Sequence, residues 1–210
     1  MNKSKLVFDI ETCPRSLNKD LKELFDAKVE RSSTQETREK KEIEYSFRNP
    51  IYNQVVAIAA LYETPSGGIS EKVFFSRDDE KEVISNFMYY ISKFSGLFIH
   101  FNGLDFDVPI LLTKCAMYGI EPPRRFCNTI RFHTDPHYDI MQVLTNWGKF
   151  GIGLKEATVA FGIKNPKDFL GGKDILDFMK TATDKEIQEY CMEDVRSTYE
   201  LFNKVYQVYQ

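Results

Sequence analysis

Features that mark secreted and membrane-spanning proteins are scarce in this chain. Its four cysteines, Cys13, Cys115, Cys127 and Cys191, are scattered and include no C-x-x-C pair. That scatter favours reduced thiols in a cytosolic protein over a disulfide framework. No segment approaches the roughly 20 apolar residues that a membrane-spanning helix needs, and acidic residues interrupt the first apolar stretch, which argues against a secretory signal. We therefore expect a cytoplasmic protein with no membrane partner.

An excess of positive charge is also lacking. The formal net charge is −3, so the chain as a whole has no basic footprint for nucleic acid, although a local basic groove is compatible with that sum. Hydrophobic residues make up 42% and charged residues 28% of the 210 positions, as in soluble globular proteins. We see no internal repeat and no linker. We expect residues 1–210 to form a single domain with a charged insertion at about residues 18–48.

Hydrophobic periodicity predicts strands that alternate with helices. A strand at residues 5–11 is closed by Cys13-Pro14, because proline removes a donor from the strand ladder. The other predicted elements are strands at 53–62, 72–75 and 97–101, helices at 79–94, 108–118, 153–161 and 185–206, a short strand or helix start at 138–144, and loops at 121–137 and 165–173. This order indicates an α/β sheet with mixed strand directions.

The segment at residues 18–46 differs from the rest in its polarity. Apolar residues from Leu21 to Val29 have helical spacing, which predicts an amphipathic helix over part of the segment. The tract from Arg31 to Glu44 is nearly all polar with mixed charge, and its simplest interpretation is a solvated helix or loop. A flap that closes over substrate is the sharper alternative.

Two carboxylates lie two residues apart in the first strand, in the run Phe8-Asp9-Ile10-Glu11-Thr12. Alternate side chains of a strand point to the same face, so Asp9 and Glu11 point the same way. Two neighbouring negative charges on a buried strand are costly unless a positive charge lies between them. A divalent metal ion is the simplest explanation of the pair.

A second acidic site follows the strand at 97–101, where Asn102-Gly103 turns the chain and Asp107 begins a helix. The positive end of that helix's dipole favours a carboxylate there. A helix N-cap formed by Asp105 or Asp107 is the alternative. We prefer Asp107 as the functional residue because it directly follows Phe106.

The last predicted helix carries a third site. Tyr190 and Asp194 are four residues apart and therefore project from one helical face. A carboxylate on a partly buried face needs a partner. Either a metal ion or a basic side chain such as Arg196 or Lys185 satisfies that need.

Taken together, D-x-E on a strand, N-x(3)-F-D at a strand-to-helix turn and Y-x(3)-D on a late helix resemble the DEDD superfamily of 3′→5′ exonucleases (DnaQ-like, ribonuclease-H-like). A tyrosine stands where other members carry a histidine, and no histidine follows residue 137, so the resemblance is to the tyrosine-bearing DEDDy branch. Within it, the chain is similar to the exonuclease domain of family B DNA polymerases and to stand-alone bacterial relatives, over about residues 5–206.

The resemblance implies a ribonuclease-H-like fold, an α/β architecture with a five-stranded mixed β-sheet flanked by helices. It also implies that Asp9, Glu11, Asp107 and Asp194 hold two Mg²⁺ or Mn²⁺ ions, with Tyr190 orienting the attacking water. Hard cations prefer oxygen ligands, and two such ions roughly 4 Å apart stabilise both oxygens of an in-line displacement. Asp139 is expected to support this site without being a ligand.

Substrate contacts are expected at Thr12, Phe101, Asn102, Phe106 and Lys155. Aromatic rings beside the site stack on a terminal base without sequence preference, although either phenylalanine also suits a core. A basic trend across the middle loops is compatible with a phosphate path or with ordinary solvated charge; it comprises Arg124, Arg125, Arg131, Lys149 and Lys155. His133 and His137 are assigned to a surface loop rather than a zinc site, and His100 to the core or the edge of a pocket.

The sequence thus predicts a metal-dependent 3′→5′ exonuclease that acts on single-stranded 3′ ends, with DNA favoured, and releases nucleoside 5′-monophosphates. An exoribonuclease is the first alternative, because the 2′-OH is read by local contacts that the sequence does not locate. A catalytically silent nucleic-acid-binding module on the same fold is the second, disfavoured because all four carboxylates are present. Proofreading in trans, repair and nucleotide recycling stay open as pathways, with a replication or repair protein as a further partner.

Overall fold

A five-stranded mixed sheet forms the middle layer of the molecule. The computed structural model describes residues 3–31, 34–148, 150–163 and 173–209, without the side chains of 173–176. The strands are β1 (Lys5–Pro14), β2 (Asn53–Glu63), β3 (Ile69–Phe75), β4 (Leu97–His100) and β5 (His137–Asp139). Their order in the sheet is β3-β2-β1-β4-β5. β1 pairs antiparallel with β2 and parallel with β4, which places it at the centre.

Helices cover both faces of this sheet. In the described ranges they are α1 (Lys19–Glu30), α2 (Gln35–Arg48), α3 (Glu80–Tyr90), α4 (Asp107–Tyr118), α5 (Ile140–Leu144), α6 (Leu154–Ala160), α7 (Lys173–Thr181) and α8 (Asp184–Val205). The α/β class, the five strands and their mixed directions confirm the predicted fold. Residues 138–144 were predicted to be a short strand or the start of a helix. The structure has both, since β5 ends at Asp139 and α5 begins at Ile140.

Two hydrophobic clusters lie on opposite faces of the sheet. Val7 belongs to the cluster shared with α8, and Phe8 belongs to the cluster shared with α3 and α4. Alternation along β1 causes this division, because successive side chains of a strand point to opposite faces. Asp9 and Glu11 have the parity of Val7 and therefore lie on the α8 face.

The charged segment between β1 and β2 forms two helices. Asn18 caps α1 by accepting the Leu21 N–H at 2.9 Å, and Thr34 forms a capping box at the start of α2, as expected for these residue types. The N–H of Arg15 donates to the carbonyl of Tyr52 at 3.1 Å, so the two ends of the segment lie side by side. The exposed residues 34–40 agree with a solvated helix, whereas the last turns of α2 do not.

The structure differs from the predicted elements in a longer β1 and in an additional helix, α7. β1 extends three residues beyond the predicted strand to Pro14, which pairs with Asn53 at its end. α7 was not predicted. The predicted loop at 165–173 lies outside the described residues except for Lys173, the first residue of α7.

Candidate active site

A cleft of about 550 Å³ opens over the second half of β1. Four elements line it: β1, α2, the turn after β4, and α8. The lining residues are Asp9, Ile10, Glu11, Thr12, Lys40, Ile43, Glu44, Phe47, Arg48, Asn102, Phe106, Tyr190 and Asp194. Three of the four predicted carboxylate ligands therefore line one cavity, although they are far apart in the sequence.

Asp9 and Glu11 form the floor of the cleft together with a buried thiol. One carboxylate oxygen of each residue and the Sγ of Cys191 all lie within 4.8 Å of one another. Glu11 is only 9% exposed. Two carboxylates this close and this poorly solvated create a strongly negative site, which favours a cation.

Cys191 is the residue of this cluster that the sequence did not reveal. Its Sγ donates to the main-chain oxygen of Asp9 at 3.5 Å. Burial, and then the charges of Asp9, Glu11 and Asp194, raise the pKa of the Cys191 thiol well above its ordinary value. The residue therefore stays a thiol and packs α8 against β1. The sequence did contain a signal for this placement, because Cys191 directly follows Tyr190 and precedes Asp194 by three residues.

Asp107, the predicted ligand that is not among the residues lining the cleft, is bonded to the backbone of β1. It is the first residue of α4 and is 2% exposed. The N–H of Ile10, between Asp9 and Glu11, donates to Asp107 Oδ1 at 3.1 Å. Burial raises the pKa of Asp107 to about 7, although the charge of His100 acts in the opposite direction.

Neither Asp105 nor Asp107 is the N-cap of α4, which was the alternative role for the second acidic site. Its N-cap is Phe106, without a side-chain hydrogen bond to the helix. Asp105 is 49% exposed at its side chain and accepts from the Nε2 of Gln142 at 2.8 Å. The two aspartates therefore differ in environment: Asp105 lies at the surface, whereas Asp107 is buried and bonded to β1.

Tyr190 and Asp194 lie one turn apart on α8, and both line the cleft. The ring of Tyr190 contacts the ring of Phe178 with centroids 5.0 Å apart, which orients it from the side of α7. Arg196, a predicted alternative partner of Asp194, instead binds both carboxylate oxygens of Glu71 at 2.8 and 2.7 Å and also contacts Glu189 at 2.5 Å. Arg196 thus ties α8 to the edge strand β3.

The turn that presents Asp107 is held from behind by Asp139. The Asp139 carboxylate accepts from the N–H of Asn102 at 2.9 Å and from that of Leu104 at 3.0 Å. It also lies 3.4 Å from the Nδ1 of His100. Burial acts to raise the pKa of Asp139, but these bonds outweigh it and hold the pKa below its ordinary value. A carboxylate that accepts several N–H groups stabilises a turn strongly.

Two buried histidines continue this network. His100 Nε2 lies 3.2 Å from His137 Nδ1, and His137 Nε2 donates to the carbonyl of Phe126 at 2.9 Å. Burial lowers the pKa of His137 to about 3, so this ring is neutral. The surface-loop prediction was therefore wrong for His137, which lies in β5, and right for His133, which is exposed.

The predicted substrate contacts divide into two groups. Thr12, Asn102 and Phe106 line the cleft. Phe101 instead packs, half-buried, against the core on the α8 face, because its strand parity directs it there. Lys155 is exposed in the first turn of α6 and is not among the lining residues.

Two members of the predicted basic trend, Arg125 and Arg131, lie near acidic partners. Arg125 donates to the carbonyl of Gly96 at 3.0 Å and to Asp135 at 2.7 Å, so it fastens a loop. Arg131 lies 3.8 Å from Asp105. Lys149 lies outside the described residues. Lys40 and Arg48 of α2 line the cleft. Lys40 lies in the tract from Arg31 to Glu44 that was predicted to be a solvated helix or loop, and Arg48 follows that tract.

The donor set suits hard divalent cations. Carboxylate oxygens are the ligands that Mg²⁺ and Mn²⁺ prefer, and the one thiol of the cluster is held in its neutral form, which is a poor ligand. Asp9 and Glu11 already converge within 4.8 Å. Among the described residues, no helix is both long and apolar enough to cross a membrane.

A central strand that carries paired carboxylates, with further acids on the following turn and on a late helix, defines a nuclease of the ribonuclease-H-like fold. The chain belongs to the family of predicted 3′→5′ exonucleases related to the exonuclease domain of PolB, and residues 45–210 match it.

Similar proteins agree with this family. A DNA polymerase from Thermococcus litoralis is 25% identical over 142 residues, which cover 59% of this chain and 8% of the polymerase. The family B DNA polymerase of Pyrobaculum calidifontis matches 97% of this chain and 24% of its own, with TM-score 0.62 and 19% identity. Exonuclease I of E. coli, in complex with a dT13 oligonucleotide, matches 99% of this chain and 42% of its own, with TM-score 0.53 and 14% identity. The chain thus spans less than half the length of each of these relatives.

Proposed function

We propose that this protein is a two-metal 3′→5′ exonuclease that degrades single-stranded DNA from its 3′ end and releases nucleoside 5′-monophosphates. The observation that carries the proposal is the convergence of Asp9, Glu11, Tyr190 and Asp194 on one cleft, with Asp107 hydrogen-bonded to the strand between the first two. Family membership supports the reaction class.

The four carboxylates Asp9, Glu11, Asp107 and Asp194 would hold the two divalent cations. When bound, such a pair supplies activation of the attacking water and neutralises charge on the leaving 3′ oxygen. Tyr190 donates or accepts a hydrogen bond that orients the water. A tyrosine hydroxyl ordinarily titrates near ~10 and is a poor base at neutral pH, so Tyr190 positions rather than deprotonates.

The comparisons with similar proteins support single-stranded DNA as the proposed substrate. The related exonuclease domain belongs to a DNA polymerase, and Exonuclease I was solved with a DNA oligonucleotide. The cleft is open enough for a strand end, and Phe106 provides a ring on which a terminal base stacks. We also propose that residues 1–210 act as one exonuclease domain, because both hydrophobic clusters are built around a single sheet.

The test is degradation of 5′-labelled single-stranded DNA and RNA by purified protein with Mg²⁺ or Mn²⁺. A ladder that shortens from the 3′ end is expected, and the Asp9→Ala and Asp194→Ala variants should show no ladder. Asp105→Ala is the matched control, since Asp105 is an aspartate of the same turn that lies at the surface. Faster degradation of RNA than of DNA would instead indicate the alternative function, a 3′→5′ exoribonuclease. Activity that survives both active-site substitutions would overturn the proposal.

A further inference from the structure

Helix α2 contributes a wall of the cleft, and most of this helix precedes the family match. The match begins at residue 45, within α2, so α1 and the first ten residues of α2 precede it. Five residues of α2 nevertheless line the cleft: Lys40, Ile43, Glu44, Phe47 and Arg48. They recur at the spacing of one helical face, so α2 presents a continuous side to the site.

This wall is fixed to the catalytic strand. Phe47 is 9% exposed and packs into the α8-face cluster. Its carbonyl accepts the Thr12 hydroxyl at 2.9 Å and the Nδ2 of Asn53 at 2.7 Å. Thr12 directly follows Glu11 in β1, so the end of α2 is positioned relative to the carboxylates by a short, buried connection.

Arg48 projects from that fixed point across the cleft. Its guanidinium carbon lies 5.6 Å from the ring centroid of Phe106, which belongs to the opposite wall. Within the described parts of the chain, Arg48 makes no hydrogen bond or ion pair, and its side chain is exposed. The stacking orients the guanidinium, while its N–H donors stay available for an anion.

The surroundings of Arg48 match a polyanionic strand. Asp9, Glu11 and Asp194 make the floor negative, and divalent cations held by these carboxylates would offset that charge. A strand whose terminal base stacks on Phe106 brings its backbone past Arg48, and guanidinium binds phosphate in a bidentate manner. Lys40 also lines the cleft and lies eight residues earlier on the same face, about 12 Å along the helix axis, which is within reach of a further phosphate of the same strand.

We propose that Arg48, assisted by Lys40, binds backbone phosphates of the strand and that α2 is the substrate-gripping wall of this protein. The inference rests on the proposed function for its substrate. It makes Arg48 a substrate-binding residue that discriminates polynucleotides from single nucleotides, a role that no element of the carboxylate site performs.

The test is binding of 5′-fluorescein-labelled oligo-dT, followed by anisotropy in Ca²⁺ over a range of salt concentrations. Arg48→Ala should raise Kd about tenfold, as expected for a lost charge-assisted contact. The slope of log K against log salt should fall by about 0.7, the value for one phosphate contact to a single strand. Lys40→Ala should act in the same direction but more weakly, because Lys40 is also paired with Glu36 at 2.6 Å.

Lys41→Ala is the matched control, since this neighbour of Lys40 is not among the cleft-lining residues. Its Kd and salt slope should equal those of the unmodified protein. Arg48→Lys should recover part of the salt slope but not the full affinity, because lysine keeps the charge without the planar fork. In degradation assays, the loss for Arg48→Ala should lie more in KM than in kcat. Thermal unfolding verifies that every variant is folded.

Each outcome separates the two proposals. If the protein degrades DNA and Arg48→Ala binds like Lys41→Ala, the role of Arg48 is overturned while the exonuclease function stands. If the protein binds oligo-dT through Arg48 but cleaves no polynucleotide, the exonuclease function is overturned and the gripping wall stands. If the unmodified protein does not bind oligo-dT, the gripping wall is overturned.

Discussion

At the residue scale, the carboxylate of Asp107 is costly to ionise because it is buried. It is 2% exposed, and the Ile10 N–H is one of few groups that compensate its charge. Its pKa in the folded protein is about 7, above the ordinary value of 3.8. Without metal, the folded protein therefore keeps a proton that the unfolded chain has lost between these two pH values. The contribution of Asp107 to the free energy of unfolding is therefore greatest below about pH 4 and is lost as the pH rises towards 7.

We predict that Asp107→Asn raises the melting temperature of the metal-free protein at pH 8 by several degrees. The amide keeps an oxygen for the Ile10 N–H and removes the buried charge. At pH 4 the difference from the unmodified protein should be much smaller, because there Asp107 is protonated. Calorimetry in EDTA at both pH values measures this. A variant that is less stable at pH 8 would contradict it.

For Tyr190, we predict a kinetic defect without a metal-binding defect. Tyr190→Phe keeps the ring that contacts Phe178 and removes only the hydroxyl that would orient the water. kcat should fall about tenfold or more, while the Mn²⁺ concentration for half-maximal activity stays unchanged. A shifted Mn²⁺ dependence would instead place the hydroxyl in the metal site.

Residue-level patterns predicted which side chains meet, but not all of them. The period of a strand aligned Asp9 with Glu11, and the period of a helix aligned Tyr190 with Asp194. Cys191 escaped notice because a buried thiol is usually a packing residue. Phe101 directly follows β4 and packs, partly buried, against the core on the α8 face, whereas Phe106 in the turn lines the cleft.

At the scale of elements, the turn between β4 and α4 decides where Asp107 lies. Asp139 at the end of β5 accepts two N–H groups of this turn and contacts His100. Gly103 allows the turn to pass over His100, since a Cβ there would lie 2.5 Å from the ring. The Asn-Gly pair predicted the turn, but its anchor came from a strand more than 30 residues later.

We predict that Asp139→Ala destabilises the protein by about 3 kcal/mol, because it leaves buried N–H groups and His100 without their acceptor. Urea unfolding measures the loss, with the exposed Asp78→Ala as the surface control that should change stability by less than about 0.5 kcal/mol. A loss for Asp139→Ala no larger than for the control would show that the turn is held elsewhere.

Element boundaries followed local signals closely where caps were strong. Gly119 ends α4 in the left-handed conformation, with φ of 67°, as glycine at this position predicts. Thr183 and Glu186 form the capping box that starts α8. Local signals could not predict the position of α2 beside the cleft. A helix face that borders a polar cleft has the same composition as a helix face that borders water.

At the scale of the whole molecule, the site depends on strand order. β1 lies between β2 and β4, so the carboxylates of β1 meet the turn that follows β4, and α8 packs across both strands. The alternation of predicted elements indicated a mixed sheet. It did not determine which strands are neighbours, because that depends on long-range packing rather than on local periodicity.

We predict that divalent metal stabilises the entire fold, because the proposed ligands come from β1, α4 and α8. Mn²⁺ at about 100 times its Kd should add about 2.7 kcal/mol to the free energy of unfolding. Thermal melts with Mn²⁺ and with EDTA measure the shift. Asp9→Ala should lose most of it, whereas Asp105→Ala should retain it. An equal shift in Asp9→Ala would show that the ion binds elsewhere.

The adjacency of the two ends of the α1–α2 segment has a consequence for how this enzyme can change. Because Arg15 and Tyr52 are joined by a hydrogen bond at its base, the segment leaves the sheet and returns at almost the same place. Its exposed first part can therefore change in length and charge while the antiparallel pairing of β1 with β2 is kept. The buried carbonyl contacts of Phe47 fix only the end of α2 that meets the cleft. With the role proposed for Arg48, such changes would alter the grip on substrate and leave the carboxylates of β1 in place.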